Sequence, residues 1–220
     1  MIDILAEANA IYRSVSTRSP SDGNDEAVSV VVRRTCAGAP EDVWDALTNP
    51  DRIHRWFLPL SGDLKTGGTF QLEGHAGGEI LVCDAPQRLR VTFGGPDSVV
   101  ELRLTAGQDG TTGLELEHTV PLAMAGSGAG ALFVGPGWDG ALLGLGWYMT
   151  GHVVDDPAAY ANSIELQEFH RESIRAWTAV IEESGTADAD QIVGAQQAAI
   201  AQYTPDLPGE GVPEDTENRG

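Results

Sequence analysis

The sequence predicts an α+β domain in which an antiparallel meander is closed on its dry face by one long apolar helix. Three observations predict it. Between Leu60 and Pro121 apolar residues recur with period two, in short runs separated by turn residues. The later runs are dry on one side only: Leu89, Val91 and Phe93, then Val100, Leu102 and Leu104, then Leu114 and Leu116 alternate with Arg90, Glu101, Arg103, Glu115 and Glu117. Beyond them Trp138, Leu142, Leu145 and Met149 fall at helical spacing, and a one-sided sheet needs such a cover.

Taken in order, residues 1–15 repeat Ile4, Ala8, Ile11 and Val15 and predict an N-terminal arm helix, and the turn-rich stretch 16–26 predicts a linker. Val28–Arg34 is β-branched and predicts the first strand. Ala39-Pro40-Glu41-Asp42 opens a helix with proline and acids in its first turn, and Val43, Trp44 and Leu47 form its buried side. Asn49-Pro50-Asp51 stops that helix and caps a shorter one whose apolar face is Ile53, Trp56 and Phe57. Five strands follow, over 69–74, 79–84, 88–93, 98–106 and 111–120, the last two joined by an Asp109-Gly110 hairpin signal.

The closing helix is predicted over 137–149. Its glycines at 140, 144 and 146 weaken it by roughly 1 kcal/mol each relative to alanine, so they predict a close approach of something to the helix backbone. The Gly/Ala-rich segment 124–136 reads as a mobile flap before it. Leu166, Phe169, Ala176, Trp177 and Val180 share one face of a helix over 164–183, and Asp188 caps a last helix reaching about Tyr203. The prolines, glycines and acids of the C-terminus have little to bury and predict disorder. The expected organisation is an arm helix and linker over 1–26, a core domain over 27–150, a helical extension over 151–204 and a disordered acidic tail over 205–220.

Among the 220 residues, 33 acids against 13 bases give a net charge of −20, which repels phosphate backbones and anionic lipid, so neither nucleic acid nor a membrane is an expected partner. An acid at position 3 and no apolar run behind it predict a cytoplasmic protein rather than a secreted one. Cys36 and Cys83 are too few for a disulfide scaffold and lack zinc-site spacing, so reduced thiols, no metal and no cofactor are expected. The G-x-S-x-G and phosphate-loop motifs are missing, and Gly135-x-Gly137-x-x-Gly140 does not follow a strand, which excludes a dinucleotide reading.

The segment Ala39-Pro-Glu-Asp-Val-Trp-Asp-Ala-Leu-Thr-Asn-Pro50, with Arg55-Trp56-Phe57, Gly67-Gly-Thr-Phe70, Gly78-Glu-Ile80, Leu114–His118 and Gly135-Pro-Gly-Trp138, resembles the START-like or SRPBCC superfamily, within it the bacterial proteins grouped with the activator of heat-shock-protein ATPase homologues. The likeness spans about residues 27–150. It implies the helix-grip fold shared with the birch-pollen allergen, a curved antiparallel sheet wrapped around a long helix, and a cavity between the two for a small hydrophobic or amphipathic molecule. Period-two parity then assigns Phe70, Leu72, Ile80, Val82, Phe93, Leu102, Leu116 and His118 to the cavity wall, with Trp138, Leu142 and Leu145 from the helix. His118 is the polar candidate because an imidazole can donate, accept or titrate near neutrality. Packed side chains filling a core account for the same pattern.

Glu73, His75 and Glu79 form a second, weaker cluster compatible with a cavity mouth, and Arg52, His54 and Arg55 on the short helix can face an anion or solvent. His152 and His170 have no partner that the sequence assigns. No pair of acid and base groups converges in the cavity, so catalysis is not expected. The leading expectation is a non-catalytic carrier or sensor. The alternatives are a protein-interaction role resembling the co-chaperone or a stress-response regulator, and a cyclase- or dehydratase-like enzyme. The apolar faces of the arm and the extension together predict a homodimer.

Overall fold

The computed structural model describes residues 3–18, 26–152 and 154–208. Helix α1 (Ile4–Asn9) is capped by the Asp3 carboxylate, which accepts from the Ala6 amide, and it leads into strand β1 (Tyr12–Arg18). The arm helix expected over 1–15 thus ends early. Tyr12, Val15 and Thr17 are strand formers, and their backbone groups are satisfied by pairing with β2 (Ala27–Ala37), from Tyr12 opposite Arg33 to Arg18 opposite Ala27. Ser16, Thr17 and Arg18 belong to this strand rather than to a linker, and residues 19–25 lie outside those described.

Helices α2 (Pro40–Thr48) and α3 (Pro50–Ile53) follow, with Asn49 capping the second through the Asp51 amide. The meander then runs through β3 (Leu60–Gly62), β4 (Thr69–Leu72), β5 (Gly77–Asp84), β6 (Arg88–Thr92), β7 (Val99–Ala106) and β8 (Thr111–Pro121). These strands form one antiparallel sheet in the order β1-β2-β8-β7-β6-β5-β4-β3, so the last strand of the meander returns to lie against β2. Asp109 and Gly110 take φ of 55° and 74°, the mirror-image turn that this dipeptide favours. On the wet face Arg88 pairs with Glu101, and Arg103 and Arg33 both pair with Glu115. The arginines are half-exposed, so the pairs contribute little individually, although Glu101 itself is buried beneath them.

Helix α4 (Leu122–Ala125) and a 3-10 turn at Gly128–Gly130 lead into α5 (Ala131–Met149). The closing helix therefore starts six residues earlier than the sequence predicts, so that residues 131–136 of the expected 124–136 flap are its first turns. Ala131 and Leu132 are fully buried, and that burial outweighs the turn propensity of the segment and the carbonyl partner lost at Pro136.

The glycines of α5 are sites of close approach. A β-carbon at Gly140 would lie 2.8 Å from His170 Nε2, one at Gly144 would lie 3.0 Å from the Trp56 carbonyl oxygen, and one at Gly146 would lie 2.7 Å from the Arg34 guanidinium. Helix α6 (Pro157–Tyr160) precedes α7 (Ile164–Ser184) and α8 (Ala189–Tyr203), the last with a capping box between Asp188 and Gln191. These helices fold back on the core. Phe169, Trp177 and Ile181 are fully buried against α5 and β1 in the same hydrophobic cluster as the sheet, and Tyr203 donates its hydroxyl to the Phe133 carbonyl at 2.7 Å.

The apolar faces that prompt the dimer expectation are largely consumed inside one chain: Ile11, Leu166, Phe169 and Trp177 are buried, while Leu5 and Tyr12 stay exposed. The expectation of a disordered tail falls almost wholly on 209–220, outside the described residues. Among the described residues no helix is long and apolar enough to cross a membrane.

Candidate functional site

Between the sheet, the α2–α3 pair and α5 lies an inner cavity of about 190 Å³. Its sheet wall is Phe70 and Leu72 of β4, Ile80 of β5, Phe93 just after β6, Leu102 of β7 and Leu116 of β8, and its helix wall includes Trp138, Leu142 and Leu145. Nine of the eleven residues expected at the wall, six from strand parity and three from the helix, therefore surround one space. Thr48 and Cys83 are the departures from a hydrocarbon and aromatic lining, and burial pushes the Cys83 thiol pKa up.

Val82 does not belong to this wall. The β5–β6 register shifts between Ile80, opposite Val91, and Val82, opposite Arg90. That bulge inserts one residue, so Val82 turns to the wet face and Cys83, opposite Leu89, takes the inward position. The helix pair and the turn after it supply wall residues that strand parity could not reveal, among them Trp44, Leu47, Ile53 and Trp56. Their signal was the apolar face of each short helix. Trp56 is fixed there by donating its indole N–H to the Ala46 carbonyl at 3.0 Å.

His118 points inward as parity requires, but it is not a free anchor in the inner cavity. Trp138 Nε1 donates to His118 Nδ1 at 3.1 Å, and the other ring nitrogen lies 2.8 Å from Ser98 Oγ. Accepting at Nδ1 leaves the proton on Nε2, which donates to the serine. Burial holds the pKa of this imidazole down to about 4, so it is neutral at physiological pH. Its role in this geometry is to fix Trp138.

A second, outer chamber of about 780 Å³ adjoins the first, sharing Trp56, Phe57, Phe93, Trp138 and Ala141 as a common partition. Its far side is built by α6, the start of α7 and the end of α8. Glu73 and His75 reach its rim, whereas Glu79 does not, and among the described residues no group of three or more potential ligands is placed to hold a metal ion. Arg55 also lines the rim, whereas Arg52 is tied to Tyr148, Asp42 and Asp45, and exposed His54 contacts the Pro50 carbonyl. His152 and His170, unassigned by sequence, both border this chamber.

Also on α5, Asp139 is fully buried and its Oδ2 accepts from Arg13 Nε at 2.7 Å, from Ser173 and from Trp177 Nε1 at 3.1 Å. This junction ties β1 and α7 to the closing helix. It lies outside both cavities.

The sequence model of the family "Activator of Hsp90 ATPase homolog 1-like protein" matches residues 37–149, just over half of the chain. The crystal structure of CalU16 from Micromonospora echinospora is 37% identical with a TM-score of 0.63, covering 78% of this chain and 98% of its own. Its solution structure gives 37% identity and a TM-score of 0.64 over 80% and 97%. DynU16, from the dynemicin biosynthetic locus, is 25% identical with a TM-score of 0.50 over 62% of this chain and 51% of that one. EF2215 from Enterococcus faecalis, at 15% identity and a TM-score of 0.56 over 80% and 95%, shares the fold alone. No curated protein matches the chain.

Proposed function

The chain belongs to the Activator of Hsp90 ATPase homolog 1-like family, a START-like fold, and from that premise we propose that it binds a small apolar or amphipathic molecule in the inner cavity as a carrier or sensor. The observation that carries the reading is the lining. Apart from Thr48 and Cys83 it offers only hydrocarbon and aromatic surface, which favours an apolar guest through displacement of poorly bonded water. Size narrows the guest. Apolar cavities of about 150 Å³ admit benzene, so one of about 190 Å³ suits a substituted ring or a small bicycle.

Acid–base catalysis needs positioned titratable groups, and the inner lining offers only a thiol whose pKa is raised. This favours binding over chemistry. DynU16 comes from a biosynthetic locus, where small organic molecules are handled, and that also supports the carrier reading. The protein-interaction alternative is supported by the family name, without a residue of this chain to carry it.

Thermal unfolding with toluene, indole and naphthalene tests the proposal. A guest that binds only the folded chain raises the midpoint with concentration, by about 2.7 kcal/mol of added stability at a hundred times its Kd. Leu64→Trp, which puts a bulky ring into the wall from a loop, should abolish the shift. Midpoints indifferent to all three probes would reject an open inner cavity.

A further inference from the structure

Four of the chain's five histidines, His75, His118, His152 and His170, border the outer chamber, although they come from four different segments. Each stands against an aromatic ring. His75 and His118 flank Phe93 with centroids 5.8 and 6.0 Å away, His152 meets Trp147 edge-on at 4.9 Å, and His170 meets Tyr203 at 5.2 Å. The chamber thus gathers aromatic rings and imidazoles, and since both nitrogens of His118 are engaged by Trp138 and Ser98, polar contacts to a guest fall to His75, His152 and His170.

His170 shows that this arrangement is built into the backbone. It is only 7% exposed, and its Nε2 occupies the space that any side chain at Gly140 would need. Charged groups are scarce on the wall: Arg55, Glu73 and Asp206, and the last is already engaged by Gln167, whose Nε2 donates to Asp206 Oδ2 at 2.8 Å. A volume of about 780 Å³ falls in the range of ligand sites, and it is four times that of the inner cavity.

We infer that the outer chamber is a second binding site, made by the C-terminal extension, for a flat, uncharged aromatic molecule of about three rings that carries hydroxyl or carbonyl oxygens. Ring faces suit a planar π-system. An imidazole nitrogen can donate to a carbonyl or accept from a hydroxyl, and a wall with few charges discriminates against ions, which would lose hydration without a paired counter-charge. The guest is too large for the inner cavity, so this site stands whether or not that cavity is filled.

The test uses 3-hydroxyflavone, a flat three-ring fluorophore bearing both oxygen types, titrated into the full chain. Saturable binding at micromolar concentration is expected. Ala158→Trp alters an exposed wall position, away from the core, and should weaken binding tenfold or more by occupying the chamber. His170→Phe keeps the ring and removes the nitrogens, and should weaken it several-fold, with His170→Gln recovering part. Leu64→Trp in the inner cavity should leave it unchanged. No saturable binding to the unaltered chain overturns the inference. So does binding that ignores Ala158→Trp and is lost in Leu64→Trp, which would place the probe in the inner cavity and speak for that site alone.

Discussion

The indole N–H of Trp138 donates to His118 Nδ1 at 3.1 Å, and this bond holds the partition between the two cavities. Trp138 lies tilted against Phe93 at 5.2 Å, and His118 passes the connection on to Ser98 in the loop before β7. His118→Ala would remove both bonds and leave a buried serine hydroxyl and an indole N–H without partners. We expect a loss of about 2–3 kcal/mol in urea unfolding and a red-shifted tryptophan emission from a loosened Trp138. An unchanged midpoint would mean that the partition is held by ring packing alone.

The histidines also set the response to acid. Burial holds the pKa values of His118 and His170 at about 4 in the folded chain, against 6.5 for a free imidazole. The folded state therefore binds fewer protons. Their contribution to stability is complete above pH 6.5 and is lost as pH falls towards 4, by up to ~3 kcal/mol each. Asp139 works in the opposite sense. Burial pushes its pKa up to about 6 from 3.8 despite Arg13, so its protonation favours the folded state over the same window and offsets part of the loss. Urea midpoints should fall between pH 7.5 and pH 5. The fall should be shallower in His170→Gln and steeper in Asp139→Asn, and a midpoint that rises on acidification would contradict the assignment.

What the sequence reveals and conceals divides along physical lines. Alternation from Leu89 to Leu116 reports directly which side of a strand is buried, and it places Phe93, Leu102 and Leu116 around the cavity. Parity fails at Val82 because it counts residues and cannot see the bulge that inserts one. The strand at Tyr12–Arg18 is masked because Ile11 and Val15 recur at a helical interval, and their true partner is a strand that begins only at Ala27. The start of α5 is masked by glycine and proline, whose local preference is overridden by full burial of Ala131 and Leu132. The outer chamber is invisible to any local pattern, since its histidines meet only in three dimensions.

The Arg13–Asp139 pair yields a prediction about strand β1. Both side chains are almost entirely buried, and Arg13 also donates to the Ala8 and Ile11 carbonyls at 3.0 and 2.9 Å. Arg13→Met would leave the Asp139 carboxyl without its counter-charge and should cost about 3–5 kcal/mol. Pairing it with Asp139→Leu should restore much of that, because two apolar groups avoid the desolvation cost. A double variant as unstable as the single one would show that the bonds to Ser173 and Trp177, rather than the charge pair, fix the junction.

Two glycine substitutions with opposite expected signs test whether the closing helix is shaped by close approach. In an exposed helix interior, glycine to alanine stabilises by roughly 1 kcal/mol through backbone entropy. Gly194 lies in α8 with no atom near the position of an added β-carbon, so Gly194→Ala should gain close to that amount. Gly135 lies in α5, and a β-carbon there would fall 2.4 Å from the ring of Trp177, which is fully buried and donates to Asp139. The ring has no free direction in which to move, so α5 and α7 must separate, and the overpacking cost of about 1–3 kcal/mol exceeds the entropic gain. Gly135→Ala should therefore destabilise while Gly194→Ala stabilises, both read by urea unfolding at pH 7.5. A stabilising Gly135→Ala would show that α5 and α7 do not pack at this distance in solution.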